Sequence, residues 1–124
     1  MNWSIVLVIG VVVALIIGLK RLGLVFAKAA LAHLKNGALV IDVRSPGEFN
    51  SGHLPNVINI PLDDIATALP KRVKDKNQTL LLHCASGMRS GIAKDTLKSL
   101  GYANVSNLGS LARARKIVGN TGGN

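Results

Sequence analysis

The stretch Leu80–Lys94, "LLLHCASGMRSGIAK", holds the only cysteine of the chain, placed where an apolar run gives way to a short loop of small and basic residues. The run "TLLLHC" from Thr79 to Cys84 is continuous rather than alternating, the pattern of a strand buried on both faces of a parallel sheet, and we place it at the sheet centre. The segment from Ser90 to Gly101 reads as a helix that begins at Ser90, turns Ile92, Ala93, Leu97 and Leu100 inward, and ends at Gly101. Strand, tight loop and helix in that order put Cys84 at the carboxyl end of a strand, where open α/β sheets carry their sites.

Working outward, "FAKAALAHLKNG" (26–37) reads as a helix with Ala30, Leu31 and Leu34 on one face and Gly37 as its stop. "ALVIDVR" (38–44) follows as a buried strand and "VINI" (57–60) as a second, short one, with the turn-rich "SPGEFNSGHLPN" between them. Pro61 opens a helix with Asp63 and Asp64 in its first turn and Pro70 as its stop, and "PKRVKDKNQ" is a charged surface loop. Past the cysteine helix, "NVSNL" (104–108) is a further strand and "SLARARKIVG" (110–119) a last short helix. Strands alternating with helices predict a small α/β domain over residues 23–119, with a largely parallel central sheet flanked by helices. The final residues, 120–124, are too rich in Gly and Asn to pack and are expected to form a flexible tail.

The first 22 residues are of another kind. From Trp3 to Leu19, "WSIVLVIGVVVALIIGL" carries no charge. A helix of that length spans about 26 Å, close to the ~30 Å hydrocarbon core of a bilayer. A cleaved secretory signal would place basic residues before the apolar run, whereas Lys20 and Arg21 follow it, so we expect an uncleaved anchor. The positive-inside bias of Lys20, Arg21, Lys28 and Lys35 then gives a single-pass protein of the cell (inner) membrane with its domain facing the cytoplasm. Gly10, Ala14 and Gly18 recur every four residues and offer a close-packing face for a homodimer, although small residues are also simply common in membrane helices. Gly23 allows a bend after the anchor.

Fifteen Lys and Arg against six Asp and Glu give a formal charge of +9 over 124 residues, which suits an anionic partner: a small anionic substrate, an anionic membrane surface or nucleic acid. With one Trp, one Tyr and two Phe, two of these four aromatics (Trp3 and Phe26) in the apolar N-terminal part, no base-stacking surface is expected and nucleic acid is set aside. One cysteine excludes an intrachain disulfide and a Cys-rich zinc cluster, and His33, His53 and His83 are too scattered for a local ligand set, so no metal and no cofactor are expected.

The chemistry therefore falls to Cys84. The loop Ala85-Ser86-Gly87-Met88-Arg89 is short enough for its N–H groups and the following helix N-terminus to converge on the sulfur, and with the Arg89 guanidinium nearby they favour thiolate over thiol. A cysteine merely packed as a small hydrophobe would not explain a Gly, an Arg and a helix start at this spacing. Asp42 and Arg44 lie two apart on one strand face with Glu48 after a Pro-Gly turn, which points to a buried ion-pair network fixing the loop beneath the site; His53 and Pro55 are taken as structural too. His83 points to the strand face opposite Cys84 and is given no role.

"IDVRSPGEFNSGHLPNVINIPL" (41–62) followed by "HCASGMRS" (83–90) resembles a single-domain rhodanese of the thiosulfate sulfurtransferase superfamily, and the resemblance covers roughly Ala29 to Gly119. It implies that Cys84 takes a sulfane sulfur from a small anionic donor such as thiosulfate, holds it as a persulfide and passes it to a thiol or cyanide acceptor. It also implies that Ala85, Ser86, Gly87, Met88 and Arg89 cradle the persulfide, with Arg89 helping to bind the donor and Ser90 supporting the loop. Two departures stand out. The paired glycines and nearby tryptophan usual near a rhodanese C-terminus become "NLGSLARARKIVG", with Ser110 at the second glycine, so the last helix is expected to pack loosely and to leave Arg113, Arg115 and Lys116 free for headgroups or a partner. The strand that commonly precedes the first helix has no room here, so one edge strand should be missing. Two other functions remain open: a phosphatase or arsenate reductase, which resembles this fold and also uses a loop cysteine, and a non-catalytic binding module tethered to a membrane.

Overall fold

The computed structural model describes residues 2–22 and 24–119. The expected bend at Gly23 and the tail at 120–124 lie outside the described residues. The elements are α1 (Trp3–Leu22), α2 (Ala27–Lys35), β1 (Leu39–Asp42), α3 (Pro46–Asn50), β2 (Ile58–Asn59), a 3-10 turn (Leu62–Asp64), α4 (Ile65–Arg72), β3 (Leu80–Cys84), α5 (Met88–Ser99), β4 (Val105–Ser110) and α6 (Leu111–Gly119). The four strands form one sheet in the order β2-β1-β3-β4, and every paired neighbour is parallel.

β3 lies inside the sheet and all five of its residues are buried, as a continuous apolar run requires. Successive side chains alternate between two cores. Leu80, Leu82 and Cys84 pack with Ile41, Val43, Ile65, Leu69, Leu97 and Tyr102 on one face, while Leu81 joins Ala30, Val40, Leu54, Leu108, Ala114 and Ile117 on the other. The Tyr102 hydroxyl, fully buried, donates to Val73 O at 2.6 Å, so the polar end of the largest core side chain is satisfied.

Several expectations are corrected. α4 continues through Pro70 to Arg72, because Ile65 and Leu69 are buried and draw that face onto the core, and Val73 N donates to Leu69 O at 2.8 Å to close the last turn. The helix after Pro61 opens with the 3-10 turn, and α4 begins after it. The turn-rich segment contains a helix, α3, closed by a capping box: Ser45 Oγ accepts from Glu48 N while Glu48 Oε1 accepts from Ser45 N. α5 starts at Met88, two residues before Ser90, and two residues read as inward, Ile92 and Leu100, are exposed.

β4 runs to Ser110, past the predicted end at Leu108. Its pairing with β3 slips between Leu82 and His83, so Leu108 is an extra residue and the bulge is completed by Gly109 at φ +92°. Only the first of the two usual glycines needs that conformation. Ser110 instead accepts from Arg113 N at 3.0 Å and caps the N-terminus of α6. α6 is not loosely packed, since Ala114 and Ile117 are buried, and Arg113 is not free: it donates from Nη1 to Leu108 O at 2.7 Å and from Nη2 to Val25 O. Arg115 and Lys116 are exposed. The outer edge of β4 meets no full strand among the described residues, only a parallel bridge between Leu24 and Asn107 with Val25 N donating to Asn107 O at 3.0 Å.

α1 is one continuous helix, exposed along Trp3–Lys20, and its 20 residues would extend about 30 Å. It is long and apolar enough to cross a bilayer, a test that a signal sequence near the N-terminus also passes.

Candidate active site

Cys84 is the last residue of β3 and its thiol is buried and unpaired with any other sulfur. The chain then turns through Ala85 and Ser86, both exposed, and Gly87, which is buried at φ +98° and starts α5. Gly87 N donates to Cys84 Sγ at 3.0 Å, and the left-handed conformation turns the chain from there into α5. A side chain at Gly87 would also collide, since an added Cβ would lie 3.2 Å from Gly109 Cα. Loop and bulge are thus shaped to each other.

Ser90 is fully buried, with Oγ 3.5 Å from Cys84 Sγ and donating to Asn107 Oδ1 at 2.7 Å. Its place inside the first turn of α5 explains why it does not cap the helix: the hydroxyl is turned inward to the site. Burial acts to raise the Cys84 thiol, but hydrogen bonds from the Ser90 hydroxyl and from the amides of Ser90, Gly87 and Ser86 outweigh it and bring the thiol below its ordinary value.

Arg89 is paired with Glu48. Its Nη1 and Nη2 donate to Glu48 Oε1 and Oε2 at 2.6 and 2.9 Å, a bidentate pair about one-third exposed. The Arg89 hydrogen bonds, joined by the amide of Ser45, hold the Glu48 carboxyl down at about 2. Glu48 therefore does not belong to the buried network with Asp42 and Arg44. Those two pair with each other, Arg44 Nη2 lying 2.7 Å from Asp42 Oδ2 and 2.8 Å from Gly52 O. Asn59 Nδ2 donates to the carbonyls of both, so the network fixes the turn after β1 and, through α3, the position of Glu48. His53 and Pro55 are exposed; His53 stacks on Phe49 with ring centroids 3.8 Å apart. Met88 is exposed on the loop rim.

His83 is fully buried on the other face, its Nε2 3.8 Å from Asp42 Oδ2 and without a hydrogen-bond partner. Burial keeps it below its ordinary value and hence neutral near pH 7, despite the opposing pull of Asp42.

Asn107 was missed in the sequence. Fully buried on β4, it donates from Nδ2 to Gly87 O at 2.9 Å and accepts at Oδ1 from Ser90 Oγ and, at 2.8 Å, from Gly109 N. One side chain thus holds loop, helix start and bulge together. Its signal was an amide inside a strand that otherwise buries apolar residues.

The match to known proteins agrees with this geometry. Residues 26–112 match the model of the Rhodanese-like domain. The chain belongs to the rhodanese-like domain family. It is 38% identical over 94 residues to the thiosulfate sulfurtransferase PspE of Escherichia coli, covering 76% of this chain and 86% of that one. It is 35% identical over 81 residues to the thiosulfate:glutathione sulfurtransferase of Saccharomyces cerevisiae, of which it covers 57%. A solved structure described as a rhodanese with anions from E. coli superposes with a TM-score of 0.60 at 38% identity, covering 62% of this chain and 91% of that one. Within this rhodanese-like domain the matched region takes in every residue of the Cys84 loop, with Glu48 and Asn107.

Proposed function

We propose that the chain is a rhodanese-type sulfurtransferase in which Cys84 carries sulfur as a persulfide from a small anionic donor such as thiosulfate to a thiol or cyanide. The observation that carries this reading is the Gly87 N–H aimed at Cys84 Sγ at 3.0 Å, with the amides of Ser86 and Ser90 acting on the same sulfur. The Cys84 thiolate attacks the outer sulfur of thiosulfate; the S–S bond of the donor breaks and sulfite leaves with its electron pair. An acceptor thiolate or cyanide then attacks the terminal sulfur of the persulfide, and the Cys84 thiolate departs with the electron pair of the broken bond. The amides of the loop stabilise the negative sulfur at each stage. Ala85 and Ser86 line the entry, the Ser90 amide donates to the sulfur, and Arg89, clamped by Glu48, braces the loop and presents its outer edge to the donor.

The loop is also short for a phosphoryl group. Cys84 and Arg89 are separated by four residues, one fewer than in the phosphatases that resemble rhodaneses, and the guanidinium is already occupied by Glu48. The membrane part of the proposal has α1 as a single span, Lys20 and Arg21 on the cytoplasmic side, the domain in the cytoplasm, and a helix face of Gly10, Ala14 and Gly18 suited to self-association. Intact mass of the purified full chain after thiosulfate treatment tests the sulfur chemistry. One added sulfur, removed by a reductant and absent in Cys84→Ser, is expected; an unmodified mass overturns it.

A further inference from the structure

Few residues separate α1 from the reactive sulfur. Leu24, two residues past the end of α1, forms the bridge to Asn107, and its Cδ2 would stand 3.0 Å from a Cβ added at Gly109. Gly109 packs against Gly87, whose N–H meets Cys84 Sγ. Asn107 ties the same parts by hydrogen bonds, its main-chain oxygen taking Val25 N and its side chain holding Gly87 and Ser90. α1 itself lies against α5. Two residues of chain reach no more than about 7 Å. Whatever surface α1 emerges from, the Cys84 loop is beside it.

The two segments that approach this junction, the one after α1 and the start of α5, each carry exposed apolar side chains. Outside α1, the large apolar side chains left exposed among the described residues are Phe26, Met88, Ile92 and Leu100, at 83%, 59%, 55% and 40%. Phe26 follows Leu24 by two residues. Met88 and Ile92 stand one turn apart on the same side of α5, directly after the loop. Farther along that side come Asp95 and Ser99, both exposed, so the apolar part of the helix ends where it leaves the loop. Apolar side chains of this kind are covered when they sit in the headgroup and upper acyl region of a bilayer, a layer about 5–10 Å deep for surface-bound helices.

We propose that Phe26, Met88 and Ile92 seat in the interfacial layer of the leaflet from which α1 emerges, so that the Cys84 loop works against the membrane surface and passes its sulfur to a thiol presented there. The inference rests on α1 being a span. Continuity with that helix is what selects lipid as the occupant, because the ledge begins within a few residues of its end. It also gives Ile92, placed in the core by helical spacing alone, a reason to be apolar: with Met88 it faces the membrane.

The test uses the full chain in phosphatidylcholine nanodiscs containing phospholipid brominated in the upper acyl chain, one chain per disc. The native chain has Trp3 as its single tryptophan and reports on α1. In a Trp3→Phe background, Ile92→Trp and Phe26→Trp report on the ledge and Leu100→Trp on the far end of α5. The expected result is bromine quenching and a blue-shifted emission at Ile92→Trp and Phe26→Trp, with Leu100→Trp unaffected. Quenching of Trp3 without quenching at either ledge position overturns the proposal and leaves the span standing. No quenching at any position overturns both. Quenching of the ledge that is equal at Leu100→Trp, or a blue shift seen only with two chains per disc, assigns the surface to a non-specific approach or to a second copy and likewise overturns it. Two ledge variants are used so that a folding defect in one leaves the other to decide. If the ledge is quenched, transfer to a long-chain alkyl thiol held in the disc should also fall on Ile92→Ser while transfer to glutathione is unchanged.

Discussion

Glu48 and Arg89, forty-one residues apart in the chain, grip each other through two parallel hydrogen bonds of 2.6 and 2.9 Å at the edge of the Cys84 loop. The pair neutralises the one cation of the loop. Replacing Glu48 by Gln keeps an acceptor for the guanidinium but removes the opposing charge, so the apparent KM for thiosulfate should fall roughly two- to fivefold, the scale of a partly screened surface charge. Arg89→Ala should raise that KM, and Arg89→Lys should not restore it, because an ammonium cannot match the two carboxylate oxygens. Steady-state kinetics with thiosulfate and cyanide read both; an unchanged KM in Glu48→Gln would show that the charge at this edge does not reach the donor.

The same pair sets a pH limit. The folded Glu48 carboxyl ionises at about 2 against an ordinary value of 4.5, so its contribution to loop order is complete above about pH 4.5 and is lost as pH falls toward 2. Hydrogen exchange of the Met88–Gly91 amides should therefore be protected evenly at neutral pH and lose that protection within this acid window. In Glu48→Gln the acid loss should be absent.

The Cys84 thiol lies below its ordinary value of 9.0 because of its hydrogen bonds, against the opposing effect of burial. The rate of alkylation by iodoacetamide should rise with pH through a midpoint below 9.0, and Ser90→Ala should move that midpoint upward. A midpoint unmoved by Ser90→Ala would mean that the main-chain amides alone set the thiolate.

Asn107→Ala leaves the Gly87 carbonyl, the Ser90 hydroxyl and the Gly109 amide short of a partner in a buried place. A cost of about 2–4 kcal/mol is expected in chemical denaturation, with slower persulfide formation in the fraction that stays folded. Gly87→Ala should act on the loop more than on the core. Its φ of +98° and the approach of Gly109 both resist a Cβ, so persulfide formation should fall by more than the loss of global stability implies.

How much of this was legible in the sequence follows from what each signal depends on. β3 and the position of Cys84 could be read because a fully buried parallel strand needs a continuous apolar run, and β3 shares the inside of the sheet with β1, the other such run. α3 was legible too, in the Ser45-x-x-Glu48 capping box, yet the surrounding Pro and Gly read as turn and hid a helix of five residues. The start of α5 was misplaced because Gly87, at a positive φ, takes the position that a serine usually caps. What could not be read were pairings across the fold. Glu48 with Arg89 and Asn107 with Gly87 depend on which loops the sheet order brings together, and Ile92 looked like core because helical spacing alone does not say which side the sheet lies on. Arg113 illustrates the same limit: a cation in an exposed-looking helix turned out to tie two main-chain carbonyls.

Sulfur transfer through Cys84 is tested by a single-turnover experiment on the full chain. With thiosulfate alone, one sulfite should be released per chain and no more; cyanide added after removal of the donor should then yield one thiocyanate, and Cys84→Ser should give neither. An aryl phosphate offered to the same preparation should remain intact. Thiocyanate formed undiminished by Cys84→Ser, or aryl phosphate hydrolysed through Cys84 in a chain that never acquires sulfur, would contradict the account.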